Sequence, residues 1–286
     1  MELQAFIRKL EELDRGNSSE EWTEGLDPRK KEEMQFHDAD RNSGRIETLD
    51  EHDRKEIYGN RKYYGTAEAS REYFEGWIRK MSPGKVFLDY ACGNGLTAIK
   101  AAKAGARLAV GIDLSGISVR NARSEALRQD AGGRTYFLQA DCEDTGLPEK
   151  SMDVIICSGM LHHLDLAKAY PELARILAPS GRILAFEALG YNPLIQAYRR
   201  LTPKMRTKWE AEHILTMREV KMAARYFDLG EVRFWHLTSP LAVALPFALP
   251  LLNGVDRVLT RVPGIRLMSW MITFELHARS RSGKGH

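Results

Sequence analysis

Residues 86–95 read Val86-Phe87-Leu88-Asp89-Tyr90-Ala91-Cys92-Gly93-Asn94-Gly95. An apolar strand runs there into a turn of small residues, and the helical pattern Leu96 to Ala104 follows. Gly93 and Gly95 lack Cβ atoms, so the main chain can take unusual dihedrals and let a ligand come close. Asp89, at the carboxyl end of the strand, faces the crevice in which open α/β sheets bind ligands. The stretch is a nucleotide-sized site in outline. A bare Gly-x-Gly is also compatible with a simple tight turn, so the downstream residues decide.

Working outward, short apolar runs alternate with helical stretches after Met81-Ser82-Pro83-Gly84, the signature of repeated βα units and a parallel sheet. The pattern predicts strands at Val86–Tyr90, Leu108–Ile112, Thr135–Gln139, Val154–Cys157, Arg182–Phe186, Val232–Leu237 and Ile272–Ala278. Helices are predicted at Leu96–Ala104, Ser115–Gln129, Leu166–Leu177 and within Pro193–Tyr226. Residues 1–80 form a helical appendage, in which Leu3, Phe6, Ile7 and Leu10, and later Tyr73, Phe74, Trp77 and Ile78, recur at helical spacing. Residues 14–60 are charge-rich, and parts of them are expected to be mobile until something binds. Residues 81–286 form the main domain, with insertions at 188–228 and 239–267. The polar tail Arg279–His286 is expected to fray.

Composition narrows the function. The chain has 286 residues, 43% of them hydrophobic, with 42 basic against 39 acidic side chains and a net charge of +3. This balance gives no strong electrostatic case for a nucleic-acid or membrane partner. The N-terminus mixes charges into its apolar repeat and lacks a secretory core, so a cytoplasmic location is expected. Cys92, Cys142 and Cys157 have neither metal-ligand nor disulfide spacing.

The second strand ends in Gly111-Ile112-Asp113-Leu114-Ser115. Asp113 therefore sits at a strand tip beside the glycine turn, suited to gripping a ribose diol, while Ser115 is the better helix cap. The third strand ends in Gln139-Ala140-Asp141-Cys142-Glu143, where Asp141 suits an exocyclic amine. A further run, Ser151-Met152-Asp153-Val154-Ile155-Ile156-Cys157-Ser158-Gly159-Met160-Leu161-His162-His163-Leu164, is followed by Pro171-Glu172-Leu173-Ala174-Arg175-Ile176-Leu177-Ala178-Pro179-Ser180-Gly181.

With these four motifs in order, residues 83–278 resemble the class I S-adenosylmethionine-dependent methyltransferases of small-molecule type. The resemblance implies a Rossmann-like seven-stranded sheet of order 3-2-1-4-5-7-6, the last strand antiparallel, with helices on both faces and an N-terminal helical lid. It implies S-adenosylmethionine as cofactor and S-adenosylhomocysteine as product. Asp89 to Gly95, with Ala91, Gly93 and Gly95, would lie under the methionine end. Asp113 and Leu114 would meet the ribose and adenine, Asp141 and Cys142 the adenine, and Ser158 the methyl-bearing end. Ala91 stands where the family often has glycine. In such enzymes the N-terminal segment often closes over the cofactor, a use that Tyr63 and Tyr64 fit.

Methyl transfer needs in-line alignment and a base to take a proton. His162 and His163 follow the fourth strand where an acceptor would enter, and Glu212 with His213 is a second candidate pair. Acceptor contacts are expected from His37, Glu187, Tyr191, Asn192, Arg199 and Arg206, the arginines suiting a carboxylate or phosphate as readily as a solvated face. No metal is expected, since Cys157 and Ser158 offer none of the hard oxygen ligands of magnesium. The turn Ser158-Gly159-Met160-Leu161 lacks the Asn/Asp-Pro-Pro-aromatic sequence of base-methylating enzymes, and Cys157 on an apolar strand is a poor nucleophile. An NAD enzyme would leave the His-His and Pro-Ser-Gly segments without a place.

The uncharged segment Pro240–Leu252 is too short, and too interrupted by prolines, to cross a membrane. A substrate tunnel, a homodimer contact, core packing and a membrane-dipping loop remain, in that order, and no stable membrane insertion is expected. The expected activity is O-methylation of a small-molecule, natural-product or peptide acceptor, with N- or C-methylation of a lipophilic metabolite next. A non-catalytic protein that binds the cofactor as a regulator is the alternative of another class.

Overall fold

A computed structural model describes residues 2–42, 61–203 and 206–279. The expectations for residues 43–60 and for the tail after Arg279 lie outside the described residues.

Seven strands form one sheet of order β3-β2-β1-β4-β5-β7-β6. They are β1 (Val86–Tyr90), β2 (Leu108–Asp113), β3 (Thr135–Gln139), β4 (Met152–Ser158), β5 (Leu177–Ala188), β6 (Phe227–Trp235) and β7 (Met271–Ala278). β1 pairs in parallel with β2 and β4, whereas β7 runs antiparallel to both β5 and β6. The reversal of strand order between β1 and β4 opens a crevice at their carboxyl ends, where this sheet type receives ligands. β1 and β2 are buried at every position, as strands covered on both faces must be.

One face is covered by α1 (Leu3–Asn17), α8 (Leu166–Ile176) and α11 (Met217–Ala223), which contribute Phe6, Leu10, Tyr170, Leu173, Ile176 and Val220 to the core. The other face carries α5 (Glu68–Met81), α6 (Leu96–Lys103) and α7 (Gly116–Arg128), with Phe74, Trp77, Ile78, Ile99 and Val119. The remaining helices are α2 (Glu20–Gly25), α3 (Pro28–Arg41), α4 (Arg61–Tyr64), α9 (Pro193–Leu201), α10 (Lys208–Glu212) and α12 (Leu249–Leu259).

Three expectations are corrected. β5 begins at Leu177, not Arg182, because the Pro-Ser-Gly turn is absorbed into an irregular start that pairs Leu177 with Met152 before the ladder resumes at Val154 and Arg182. β6 covers Phe227–Trp235 rather than Val232–Leu237: His236 takes a positive φ of 65°, which ends extended structure, and a register shift lies between Leu229 and Val232. Residues 20–41, read as part of a mobile stretch, form α2 and α3. Ser19 caps α2 by accepting from Trp22 N, and Asp27 caps α3 by accepting from Lys30 N ahead of Pro28.

Candidate active site

The glycine turn is built as the sequence suggests. Cys92 N donates to Ile112 O at 2.7 Å, which draws the turn against β2, and Gly93 N donates to Asp113 Oδ2 at 2.8 Å. Asp113 Oδ1 accepts from Ser115 N at 2.9 Å, and the Ser115 hydroxyl caps α7 through Ser118 N. Ala91, Gly93 and Gly95 all have positive φ, of 59°, 53° and 75°. Ala91 thus holds the strained conformation that glycine would take freely. At Gly95 an added Cβ would sit 2.6 Å from Phe137 and 2.7 Å from Ala122, so that position admits no side chain.

Two cavities share this crevice. The larger, about 460 Å³, is lined by Asp89, Ala91, Cys92, Gly93, Asn94, Ser158 and Arg41. The smaller, about 130 Å³, is lined by Asp113, Leu114, Asp141, Cys142, Ser158, Met160 and His163. The expected cofactor residues of the sheet therefore converge on one place. Asp89 is buried, accepts from Ala98 N at 3.1 Å, and has its pKa pushed up to about 8 by burial and by the neighbouring Asp113 carboxylate. Cys92, Cys142 and Cys157 are all pushed up by burial, which makes them inert thiols.

The part of the N-terminal segment that lines the crevice is not its pair of tyrosines. Tyr63 packs against Tyr198 and Tyr64 against Trp270, with ring centroids 6.1 and 5.2 Å apart, and neither lines a cavity. The crevice is closed by α3 instead. Lys30 Nζ lies 2.5 Å from Asp141 Oδ2 and 3.0 Å from Glu143 Oε2, Asp38 accepts from the Ser115 hydroxyl, and the Arg41 guanidinium lies over Gly93. Glu33, His37 and Arg41 recur four residues apart, so one helical face carries them all toward the site. Sequence reasoning missed Arg29, Lys30, Glu33 and Arg41. The signal was present as a charged stripe at helical spacing behind an Asp-Pro start, but solvated faces look the same.

The two adjacent histidines have opposite environments. Glu187 is buried at the base of their loop, accepts from Met160 N and Leu161 N at 2.8 Å each, and lies 2.7 Å from His162 Nδ1. Burial alone would depress the His162 pKa, but the Glu187 and Glu210 carboxylates outweigh it and raise it. His163 Nδ1 lies 3.0 Å from Glu33 Oε2, and its pKa is lowered by burial and by the neighbouring His162. Only His163 of the pair lines a cavity. Glu33, whose burial is outweighed by His163, His37 and the Thr207 hydroxyl, is held well below the usual carboxylate range. Ligand atoms of Glu33, His37 and His163 lie within 4.8 Å of one another, so the expectation of no metal leaves a set of donors that imidazole-binding metals could use.

Other expected residues fall elsewhere. His213 is exposed, stacks on Trp209 at 3.7 Å and engages Trp209 O, and Glu212 beside it is exposed; neither lines a cavity. Glu187 is buried beneath the histidine loop and lines neither of the two cavities. Asn192 caps α9 through Leu194 N and reaches Met268 O, and the Tyr191 hydroxyl accepts from Met217 N at 3.0 Å. Arg199 and Arg206 are half-buried, donating to Glu210 O and to Arg199 O and Thr202 O, so they bind the insertion together. Helix ends and insertions of irregular backbone consume such side chains because their carbonyls need donors. Of the acceptor candidates, His37 lines the smaller of these two cavities.

Comparison with known proteins agrees with this geometry. Residues 88–185 match the methyltransferase domain family. The 27-O-demethylrifamycin SV methyltransferase of Amycolatopsis mediterranei is 36% identical over 101 residues, 35% of this chain and 37% of that protein. The ribosomal protein L11 methyltransferase of Burkholderia orbicola is 34% identical over 119 residues, 42% of this chain and 37% of that one. The chain thus spans little more than a third of the length of these relatives. Among solved structures, geranyl diphosphate C-methyltransferase from Streptomyces coelicolor, in complex with Mg2+, geranyl diphosphate and S-adenosyl-L-homocysteine, superposes with a TM-score of 0.60 over 89% of this chain and 99% of that one, at 14% identity. Among the described residues no helix is long and apolar enough to cross a membrane. The turn, the strand-tip carboxylates and the strand order all belong to one architecture, the Rossmann-like methyltransferase fold, and within it residues 88–185 match a methyltransferase domain.

Proposed function

We propose that this chain transfers a methyl group from S-adenosylmethionine to an oxygen of a small-molecule, natural-product or peptide acceptor, with His163 as general base and residues 1–80 acting as a lid. The observation that carries this reading is the placement of His163. It lines the cavity that also holds Asp113 and Asp141, its Nδ1 is fixed by Glu33, and its lowered pKa keeps it neutral near pH 7. Two neighbouring histidines pushed in opposite directions divide the work: His163 accepts the proton, and His162, held between Glu187 and Glu210, orders the loop.

The crevice fits the cofactor by the chemistry of its donors. Asp113 would hold the ribose diol, Asp141 the adenine amine with Leu114 against the ring, and Asp89 and the Gly93 turn the methionine end. The bound cofactor supplies an activated methyl group on a sulfonium. An oxygen acceptor is supported by the relative whose name specifies an O-methyl position. In this reading Asp89, Ala91, Gly93, Gly95, Asp113, Leu114, Asp141, Cys142 and Ser158 serve the cofactor, and His37 with His163 the acceptor. The test is a methyl-release assay with radiolabelled donor against hydroxylated and carboxylated acceptors and a cellular extract. Turnover that survives EDTA supports the hydrogen-bonded reading of Glu33, His37 and His163. No turnover with any acceptor would favour the non-catalytic binding protein.

Asp89 adds a prediction of its own. With its pKa at about 8, roughly nine-tenths of the Asp89 carboxyl is protonated at pH 7 in the free protein. Pairing with the ammonium of the cofactor would ionise it, so binding should release nearly one proton per site at pH 7 and much less at pH 9. Calorimetry in buffers of different ionisation enthalpy measures this directly. Equal heats in all buffers at pH 7 would remove Asp89 from contact with the cationic end.

A further inference from the structure

The segment between β6 and β7, read as a tunnel wall, a homodimer contact, core packing or a membrane-dipping loop, buries Ser239 and Ala242 and leaves most of its larger apolar side chains exposed. Its short helical turns Ser239–Val243 and Pro246–Ala248 lead into α12, and of their side chains Leu241 and Phe247 are exposed while Ala242 is buried. Phe247 is 84% exposed, Leu251 71%, Leu241 64% and Val258 62%. On α12, Leu251, Val255 and Val258 fall at positions i, i+4 and i+7, which places them in one exposed stripe.

The exposed charges of this cap are all of one sign. Residues 239–268 contain three basic side chains, Arg257, Arg261 and Arg266, all exposed, and one acid, Asp256. Asp256 is buried and spent on the fold: its carboxylate accepts from Leu237 N, Thr238 N, Ser239 N and the Thr238 hydroxyl at 2.6–3.2 Å. Arg257 and Arg261, four residues apart, flank the apolar stripe on the side away from Asp256. This is the arrangement in which arginines extend toward lipid headgroups while the neighbouring apolar side chains enter the acyl boundary.

We propose that the cap formed by residues 239–268 is a docking surface for an anionic lipid bilayer, lying in its interface with the Phe247 tip and the Leu251–Val258 stripe inserted. Charge complementarity selects this occupant over a second copy of the chain. A two-fold contact through the same face would bring three arginines against three arginines with no exposed acid in the cap to answer them. The absence of a spanning helix among the described residues fits a protein that lies on the bilayer by a short amphipathic element.

The test is flotation of the full chain with large unilamellar vesicles of phosphatidylcholine alone or mixed with phosphatidylglycerol, with light scattering to fix the oligomeric state. The chain should float with the mixed vesicles, progressively less as salt rises, and far less with phosphatidylcholine alone. Arg257→Gln and Arg261→Gln should each weaken partitioning about fivefold. Phe247→Asp and Leu251→Asp should abolish it while leaving circular dichroism and thermal melting unchanged, because both side chains already face solvent. The proposal is overturned if the chain ignores the anionic vesicles, if it binds both compositions equally, or if Phe247→Asp floats like the parent. It is equally overturned if the chain is a dimer that Phe247→Asp converts to a monomer, since the face is then a self-contact.

Discussion

Replacing Asp113 by alanine should weaken binding of S-adenosylmethionine and of its demethylated product on the order of a hundredfold. The carboxylate accepts from Gly93 N and Ser115 N, so its loss leaves two buried donors without their acceptor and releases the turn that shapes the cavity. Charge-assisted bonds of this kind contribute about 1.5–3 kcal/mol each, and a matched ribose diol would add to the loss. Asn at the same position retains an acceptor for one of the two amides and should fall between alanine and the parent. Calorimetric titration of the three proteins, with melting curves to separate fold from site, checks the order. An Asp113→Ala protein that binds the cofactor like the parent would take the second strand tip out of the site.

The second large effect is expected at His163. His163→Gln should lower kcat by a factor on the order of a hundred to ten thousand, with cofactor affinity little changed, since the side chain acts on the acceptor proton. The sign of the pH dependence follows from its environment. A base must be neutral, and burial together with His162 places the His163 pKa below its ordinary value of 6.5. The acid limb of the kcat profile should therefore lie below pH 6.5, with a plateau above it. Glu33→Gln weakens the acceptor for Nδ1 and should lower kcat while moving that limb further to acid. His162 shows the opposite linkage. Its raised pKa gives stability that is present below the unfolded value and lost as pH rises through the folded one, so His162→Gln should flatten the stability profile on its alkaline side. A His163→Gln enzyme with the parental kcat would mean that the acceptor needs no base, as an ionised carboxylate does not.

How much of this could be read beforehand depended on whether the responsible physics is local. The glycine turn, Asp113 and Ser115 were legible because strand, turn and cap chemistry act within a few residues, and the structure places each as read. The strand order followed from the resemblance and agrees with the pairing. Glu187 was misjudged because its sequence position, at the end of a strand that faces the crevice, says nothing about which loop will bring amides to it. Arg199 and Arg206 were misjudged for the same reason: free carbonyls in an irregular insertion claimed them. The residues of the N-terminal segment that reach the crevice were missed because Tyr63 and Tyr64 look like ring-stacking residues, whereas α3 looks like any charged helix until its partners across more than a hundred residues are known. Whether Pro240–Leu252 faces inward or outward was likewise not a local property, and only the position of Asp256 reveals which side of the cap is held down.

The ion pair between Lys30 and Asp141 makes the lid a rival of the ligand it covers. The helix that shuts the crevice does so with a cation on the carboxylate assigned to adenine and a guanidinium over the glycine turn assigned to the methionine end. Closure and occupancy then draw on the same few acceptors. The rate at which the cofactor enters should reach a ceiling set by how often α3 lifts, however much cofactor is supplied. Release of the spent product should be helped by the same returning lysine.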